Sequence, residues 1–380
     1  MKVALLNYEE KQLHRNSSSD NIDPSKVSLV LAFGLKSILA SDDLNELLKK
    51  EFPNADILQA STSGQIYNDT VTENNVSITA IEFEKSTHQA ISVQIKDYNN
   101  SFDAGKALAS KFDLIDLSYL MVISDGALVN GSELVRGINE IVDHKIPVTG
   151  GLAGDDANFI STLTGLNQQP AQGIIVAIGF YGKQLLVGHG TMGGWDIFGP
   201  EREITKSSSN VLYEIDGKNA LELYKMYLGN YADELPGSAL LFPLAVTIKD
   251  SEQPLVRTIL SIDQSNQSMV FAGDVPTGSK VRFMRANFDR VIDAASHAGF
   301  SSLKMQDGRK PKLALLISCV GRKIILDTRT EEEILAVREA FGDKTFITGF
   351  YSYGEISPFT PHARCELHNQ TMTITTLDEI

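Results

Sequence analysis

Twelve residues near the C-terminus, TGFYSYGEISPF (348–359), place two tyrosines, two glycines and one carboxylate behind an apolar run. Gly349 and Gly354 allow a sharp turn or a close backbone approach. Tyr351, Tyr353 and Glu355 are then presented by a binding loop; the plainer reading is a tight turn whose aromatics finish a core. A carboxylate buried in such a turn needs a cation or hydrogen-bond donors. Two basic strings that end apolar runs are the expected sources: CVGR with Arg322 and VRFMR with Arg285. With Glu355, either arginine would hold a zwitterionic ligand at both charged ends. Arg282, Arg285 and Arg290 otherwise read as surface arginines of an acidic chain.

Cys319 closes the run LALLIS and precedes Val320, Gly321 and Arg322. It packs as a small hydrophobe, or Arg322 lowers its pKa and makes it a nucleophile or redox sensor. A cysteine hydrolase would join Cys319, His368 and Glu355 and follow the cysteine with a helix. RKIILDTRT (322–330) reads as a strand, which weighs against an enzyme. His362, Cys365 and His368 are three apart, so on an extended strand Cys365 faces away from both histidines, against zinc. His368 with Asn369 is a polar probe of the same pocket. GHGTMG (188–193) runs into GWDIFGP where a phosphate-binding helix would be needed, so no dinucleotide site is expected. Trp195 in that loop is core packing or an aromatic lid.

The chain has 380 residues, long enough for two or three domains, with 42% apolar content and a net charge of −14. That charge argues against unspecific nucleic-acid binding and against anionic membrane surfaces. Two cysteines make no disulfide framework and suit a reducing compartment. The N-terminus has no signal-peptide pattern and no window reaches transmembrane length. A cytoplasmic protein with Cys319 and Cys365 reduced is expected.

The residues above are carried by a repeat. VSLVLAFG (27–34), a helix over 41–52 and ADILQAST (55–62) recur as YLMVISDG, 131–142 and IPVTGGLAGD. They recur again as LALLISCVG, 331–342 and TFITGFYSYGE. The glycine pairs Gly34 to Gly64, Gly126 to Gly154 and Gly321 to Gly354 superpose STSGQ, GLAGD and YSYGE, with Gln65, Asp155 or Glu355 after each turn. Alternating pairs follow and read as hairpins: 76–83 with 89–95, 173–180 with 184–190, and ELHN with TMTITTL. Strand–helix–strand units with hairpins predict an α/β protein of mixed sheets covered by helices, in two parts, 27–217 and 218–377. The three turns are expected along one edge of the fold, where ligands of such sheets commonly sit.

With these segments in order, the chain resembles the FIST family of bacterial sensory and signal-transduction proteins. The resemblance rests on QASTSGQI, SDGALVNGSELVRGI and GGLAGDD in the first half. In the second half it rests on FGPEREITKSSSNVLYEIDGKNALELY, ISCVGRKIILDTRTEEEI, GFYSYGEI and LHNQTMTIT. It implies a small-molecule sensor without catalysis, with amino acids or related metabolites as ligands. Some relatives bind haem, respond to nitric oxide and act on a histidine kinase or a cyclic di-GMP enzyme. For haem, His189 and His368 are the candidate axial ligands. Because the sequence ends at Ile380, output is expected through a separate partner.

Overall fold

The computed structural model describes residues 1–16, 19–248 and 253–380, without the side chain of Asp42. Its core is three copies of one unit. In each, two parallel strands are joined by a helix and a third strand runs antiparallel beside the first. Leu29–Gly34 pairs with Asp56–Ser61 and with Val76–Glu82. Leu117–Ser124 pairs with Val148–Leu152 and Ile174–Tyr181. Leu313–Cys319 pairs with Phe346–Ser352 and Met372–Glu379. A further antiparallel strand lies outside each: Lys2–Glu9, Thr87–Gln94 and Leu185–Met192. Leu29–Gly34 and Leu313–Cys319 are buried along their whole length, which is why they read as unbroken apolar runs. The joining helices Asp42–Glu51, Gly131–Asn139 and Thr330–Phe341 lie within a residue or so of the predicted starts.

The chain then leaves its own sheet. After the turn at Gly64, Gln65–Tyr67 pairs with Phe346–Ser352 of the third unit. Thr164–Leu166 of the second unit pairs with Asp56–Ser61 of the first. Gly354–Pro358 of the third pairs with Val148–Leu152 of the second. Each unit thus gives a strand to the next in a closed cycle. The inner faces share one core that includes Leu31, Phe33, Tyr119, Ile123, Ile317 and Phe350. Phe33 and Phe350 bring their ring centroids to 4.7 Å.

None of the three expected hairpins forms. Val76–Glu82 and Thr87–Gln94 lie in different sheets, as do Ile174–Tyr181 and Leu185–Met192, and Cys365–His368 and Met372–Glu379. Alternation reports a strand with unlike faces but not its partner, and these short connections are the steps between sheets.

Residues 194–287 form an inserted unit between Leu185–Met192 and helix Phe288–Lys304, both elements of the third copy. Eight strands make its sheet, which packs on helix Ala220–Leu228 around Leu212, Tyr224, Phe271 and Phe283. The sequence boundary at 217/218 falls within this sheet, where Val211–Ile215 pairs with Lys218–Asn219.

Two glycines set the closeness of the parallel pairs. A Cβ on Gly150 would stand 1.8 Å from the Val122 carbonyl oxygen, and one on Gly349 1.8 Å from that of Leu316. No side-chain adjustment relieves contact with backbone. Gly150→Ala or Gly349→Ala should therefore cost at least about 3 kcal/mol in urea unfolding. Gly237→Ala, with nothing within 4 Å, should cost less than about 1 kcal/mol. Similar costs for all three would show that the sheets readily part.

Candidate functional site

The three aligned turns meet. The Ser63 N–H donates to the Tyr351 carbonyl at 2.9 Å and the Tyr351 N–H to that of Gly64 at 2.9 Å. The Gly154 N–H donates to Ser61 O at 2.9 Å, and the Tyr353 N–H to Leu152 O at 3.2 Å. Ser61 Oγ and Ser63 Oγ donate to the carbonyls of Gly154 and Asp156, both at 2.7 Å. Glycine-bearing turns from three units therefore share one end of the core.

The expected partnership of Glu355 with an arginine does not form. Glu355 is fully buried and accepts from Ser352 Oγ at 2.7 Å, Thr371 N–H at 3.1 Å and Thr371 Oγ1 at 2.9 Å. Burial outweighs these donors and raises its pKa to about 8. Arg285 is exposed at the end of a strand in the inserted unit, opposite Asp196. Arg322 is fully buried and pairs with Glu333 through Nε at 3.0 Å and Nη2 at 2.8 Å. The other Glu333 oxygen accepts from Tyr351 Oη at 2.7 Å and Ser318 Oγ at 3.0 Å. Arg322 also donates to Gly193 O and Val291 O, both at 2.7 Å. Those carbonyls stand on the two crossings between core and inserted unit. Tyr351 is thus a member of a structural network and not a pocket wall. Glu333 was hidden in the run TEEEI, where three acids at a helix start read as dipole complements.

Cys319 departs from expectation in the segment that follows it, and its thiol matches the small-hydrophobe reading. The segment after it is helix Val320–Leu326, not a strand. Two of its apolar residues, Val320 and Leu326, are buried while Ile324 is not, a spacing that short strands and short helices share. The thiol is buried and burial pushes its pKa up, although Arg322 lies nearby. Cys365 is also free and buried, with its thiol on Val148 O at 3.2 Å. His368 is buried, its Nε2 2.8 Å from Ser357 O and its ring edge-on to Phe359 at 4.5 Å. Burial lowers its pKa to about 4. Asn369 is buried with both amide atoms unpartnered. Among the described residues no group of three His, Cys, Asp or Glu side chains is poised for a metal.

Of the predicted residues, Tyr353 lines a cavity. This space of about 440 Å³ lies between core and inserted unit. Gly126–Gly131 and Leu152 line one side, while Asn210, Leu260, Phe271, Ala272 and Gly273 line the other. Tyr353 stacks on Phe159 with centroids 4.5 Å apart and planes at 19°, and its oxygen accepts the Phe159 N–H at 2.9 Å. Asn130 caps helix Gly131–Asn139 through the Glu133 N–H at 3.1 Å and donates to Asp274 at 3.2 Å. The sequence reading missed Phe159 and Ile160, apolar residues in a polar loop, and Leu260, which lies in strand Ile259–Asp263.

The fold is a mixed α/β core of three strand-exchanging units with a cavity against an inserted sheet. The chain belongs to the FIST family: the FIST N domain matches residues 28–218 and the FIST C domain residues 220–358. FIST domains are signal-transduction sensing modules. An uncharacterized protein of Methanocaldococcus jannaschii, MJ1623, is 25% identical over 337 residues, covering 79% of this chain and 62% of that protein. This chain therefore spans about three-fifths of that relative. Cyanuric acid hydrolase from A. caulinodans matches with a TM-score of 0.39 at 7% identity, over 100% of this chain and 99% of that one. A second cyanuric acid hydrolase structure gives 0.34 at 9% identity, over 99% of both. Among the described residues no helix is long and apolar enough to cross a membrane.

Two measurements check the buried acids. Arg322→Met leaves Glu333 without its cation and should cost roughly 3–5 kcal/mol, read by chemical denaturation. A loss below about 1 kcal/mol would show that the pair is dispensable. Glu355 titrates at about 8 when folded, against an ordinary value of 4.5. The folded protein thus keeps a proton that the unfolded chain releases, so the stability due to protonated Glu355 is complete below pH 4.5. It declines as pH rises and levels off above about 8. Relative to Glu355→Gln, the wild type should lose roughly 2–4 kcal/mol between pH 5 and 9. Parallel pH profiles would show that Glu355 ionises as in water.

Proposed function

We propose that this protein is a cytoplasmic small-molecule sensor whose ligand occupies the cavity between core and inserted unit. The observation that carries the reading is that residues of both bodies line one cavity of about 440 Å³. Membership of a sensing family supports it. A ligand touching both bodies binds one of their arrangements better than another, and only such differential affinity shifts the equilibrium. Output then passes to a separate partner. The recipient expected from the family resemblance is a histidine kinase or a cyclic di-GMP enzyme.

The haem reading asks for a histidine facing a slot for the macrocycle. His368 is held by Ser357 O and Phe359. His189 is buried in a strand, its Nδ1 unpartnered and its pKa lowered to about 4 by burial. Neither lines the cavity, so these residues do not fit the group. The hydrolase reading regains a helix after Cys319 but lacks an activated thiolate, because the thiol is buried and His368 has another partner.

The test is a thermal-shift screen of small metabolites against wild type and Ala272→Phe, which fills the cavity. A ligand should raise Tm by several degrees in wild type and leave the variant unmoved. In hydrogen exchange the same ligand should protect 126–131 and 257–273 together. Protection of one body alone would overturn the sensor reading.

A further inference from the structure

We infer that the cavity between core and inserted unit takes an uncharged, partly aromatic ligand and discriminates against ions and zwitterions. The inference rests on the sensor reading above and narrows its ligand. Among the described residues, no Asp, Glu, Lys, Arg or His lines the cavity. Its wall is the stacked pair Phe159 and Tyr353. Its rim is apolar: Leu128 is 56% exposed, Ile160 76% and Leu260 43%. Bare apolar side chains gathered at one mouth favour burial of an apolar surface there.

The nearest charges stand behind the lining and are engaged. Arg257 lies beneath Gly273, where its guanidinium is 3.1 Å from the position a Cβ would take. It is almost fully buried and donates to the carbonyls of Asp274 at 2.9 Å, Leu367 at 2.9 Å and Val256 at 3.3 Å. Asp125 accepts from the N–H groups of Ala127 at 2.8 Å, Leu128 at 2.7 Å and Gly173 at 2.9 Å. Asp274 accepts from the Asn130 amide at 3.2 Å. Each of these three charges is already engaged by partners behind the lining. An ion entering the cavity would lose water and meet no charged side chain in the lining, which makes its burial costly.

Polar recognition is confined to neutral groups. Asn210 lines the cavity and its amide nitrogen donates to Phe271 O at 2.8 Å, so its amide oxygen is a neutral acceptor of that lining residue. The oxygen of Tyr353 accepts the Phe159 N–H, and its own O–H remains a neutral donor beside the ring face. An aromatic plane carrying a neutral amide or N–H matches a stacking wall, an acceptor and an apolar rim.

Four probes test this with the full chain: indole and benzamide against benzoate and tryptophan, by saturation-transfer NMR and calorimetric titration. Indole or benzamide should bind at least tenfold more tightly than benzoate or tryptophan. Its affinity should change little with salt, fall in Tyr353→Ala and vanish in Ala272→Phe, whose fold is checked by its thermal transition. If benzoate or tryptophan binds this cavity as tightly as the uncharged probes, the inference fails while the sensor site stands. If no probe distinguishes wild type from Ala272→Phe up to millimolar concentration, the cavity is not a ligand site. Both readings then fall.

Discussion

One buried ion pair governs how the two bodies of this molecule meet. Arg322 and Glu333 are both fully buried, and removing either would strand the other's charge. The geometry places the remaining donors of Arg322 on Gly193 O and Val291 O, one on each crossing to the inserted unit. The second Glu333 oxygen reaches Tyr351 and Ser318. Tyr351 in turn shares backbone hydrogen bonds with Ser63 and Gly64. A single arginine thereby ties the junction of the three turns to the base of the inserted sheet. Its planar fork is suited to that task, because a lysine cannot direct several fixed donors at once.

The three units cannot be separated without breaking sheets. Every unit places a strand in the next one's sheet, and the inner faces share one apolar core. Thr79 and Thr348 bond across at 2.8 Å, and Thr149 and Thr375 at 2.5 Å, so polar side chains at this interface satisfy one another. The cyclic exchange also covers the otherwise free side of each parallel pair with a strand from another unit. A rigid core follows from this topology, and the turns at its end inherit that rigidity.

Much of this was legible in the sequence because it depends on local pattern. The repeat, the three joining helices and the convergence of Gly64, Gly154 and Gly354 follow from apolar runs, helix starts and turn glycines. Strand partnership was not legible. Val76–Glu82 and Thr87–Gln94 have the alternation of a hairpin, yet pairing is decided by the closed cycle of sheets, which no local signal encodes. RKIILDTRT reads as a strand, yet its first five residues belong to helix Val320–Leu326, because so short an apolar run satisfies both periods. Tyr353, one of the expected site residues, lines the cavity, and Arg285 is not brought to it. The pairing of Arg322 with Glu333 was hidden because two residues eleven apart, on separate helices, have no signature in sequence.

Rigidity at the core and a firm pivot leave the inserted unit as the element able to change position. Its apolar contact with the core is small: Trp195, Ala245 and Met284 are buried against partly covered neighbours that include Ile325. Farther out the two bodies meet through hydrogen bonds, Arg257 to Leu367 O, Asn130 to Asp274 and the Asp274 N–H to Ser132 Oγ. Such contacts contribute about 1 kcal/mol each, and water can replace them. Coupling free energies in allosteric proteins are typically 1–3 kcal/mol, the scale of breaking two or three of these bonds. On the proposed function, a ligand buried between the Phe159–Tyr353 wall and the 271–273 segment would need no large affinity to bias the inserted unit. The same weakness at the cavity and strength at Arg322 would convert local occupancy into rotation about a fixed base, which is a form of change that a partner protein can read.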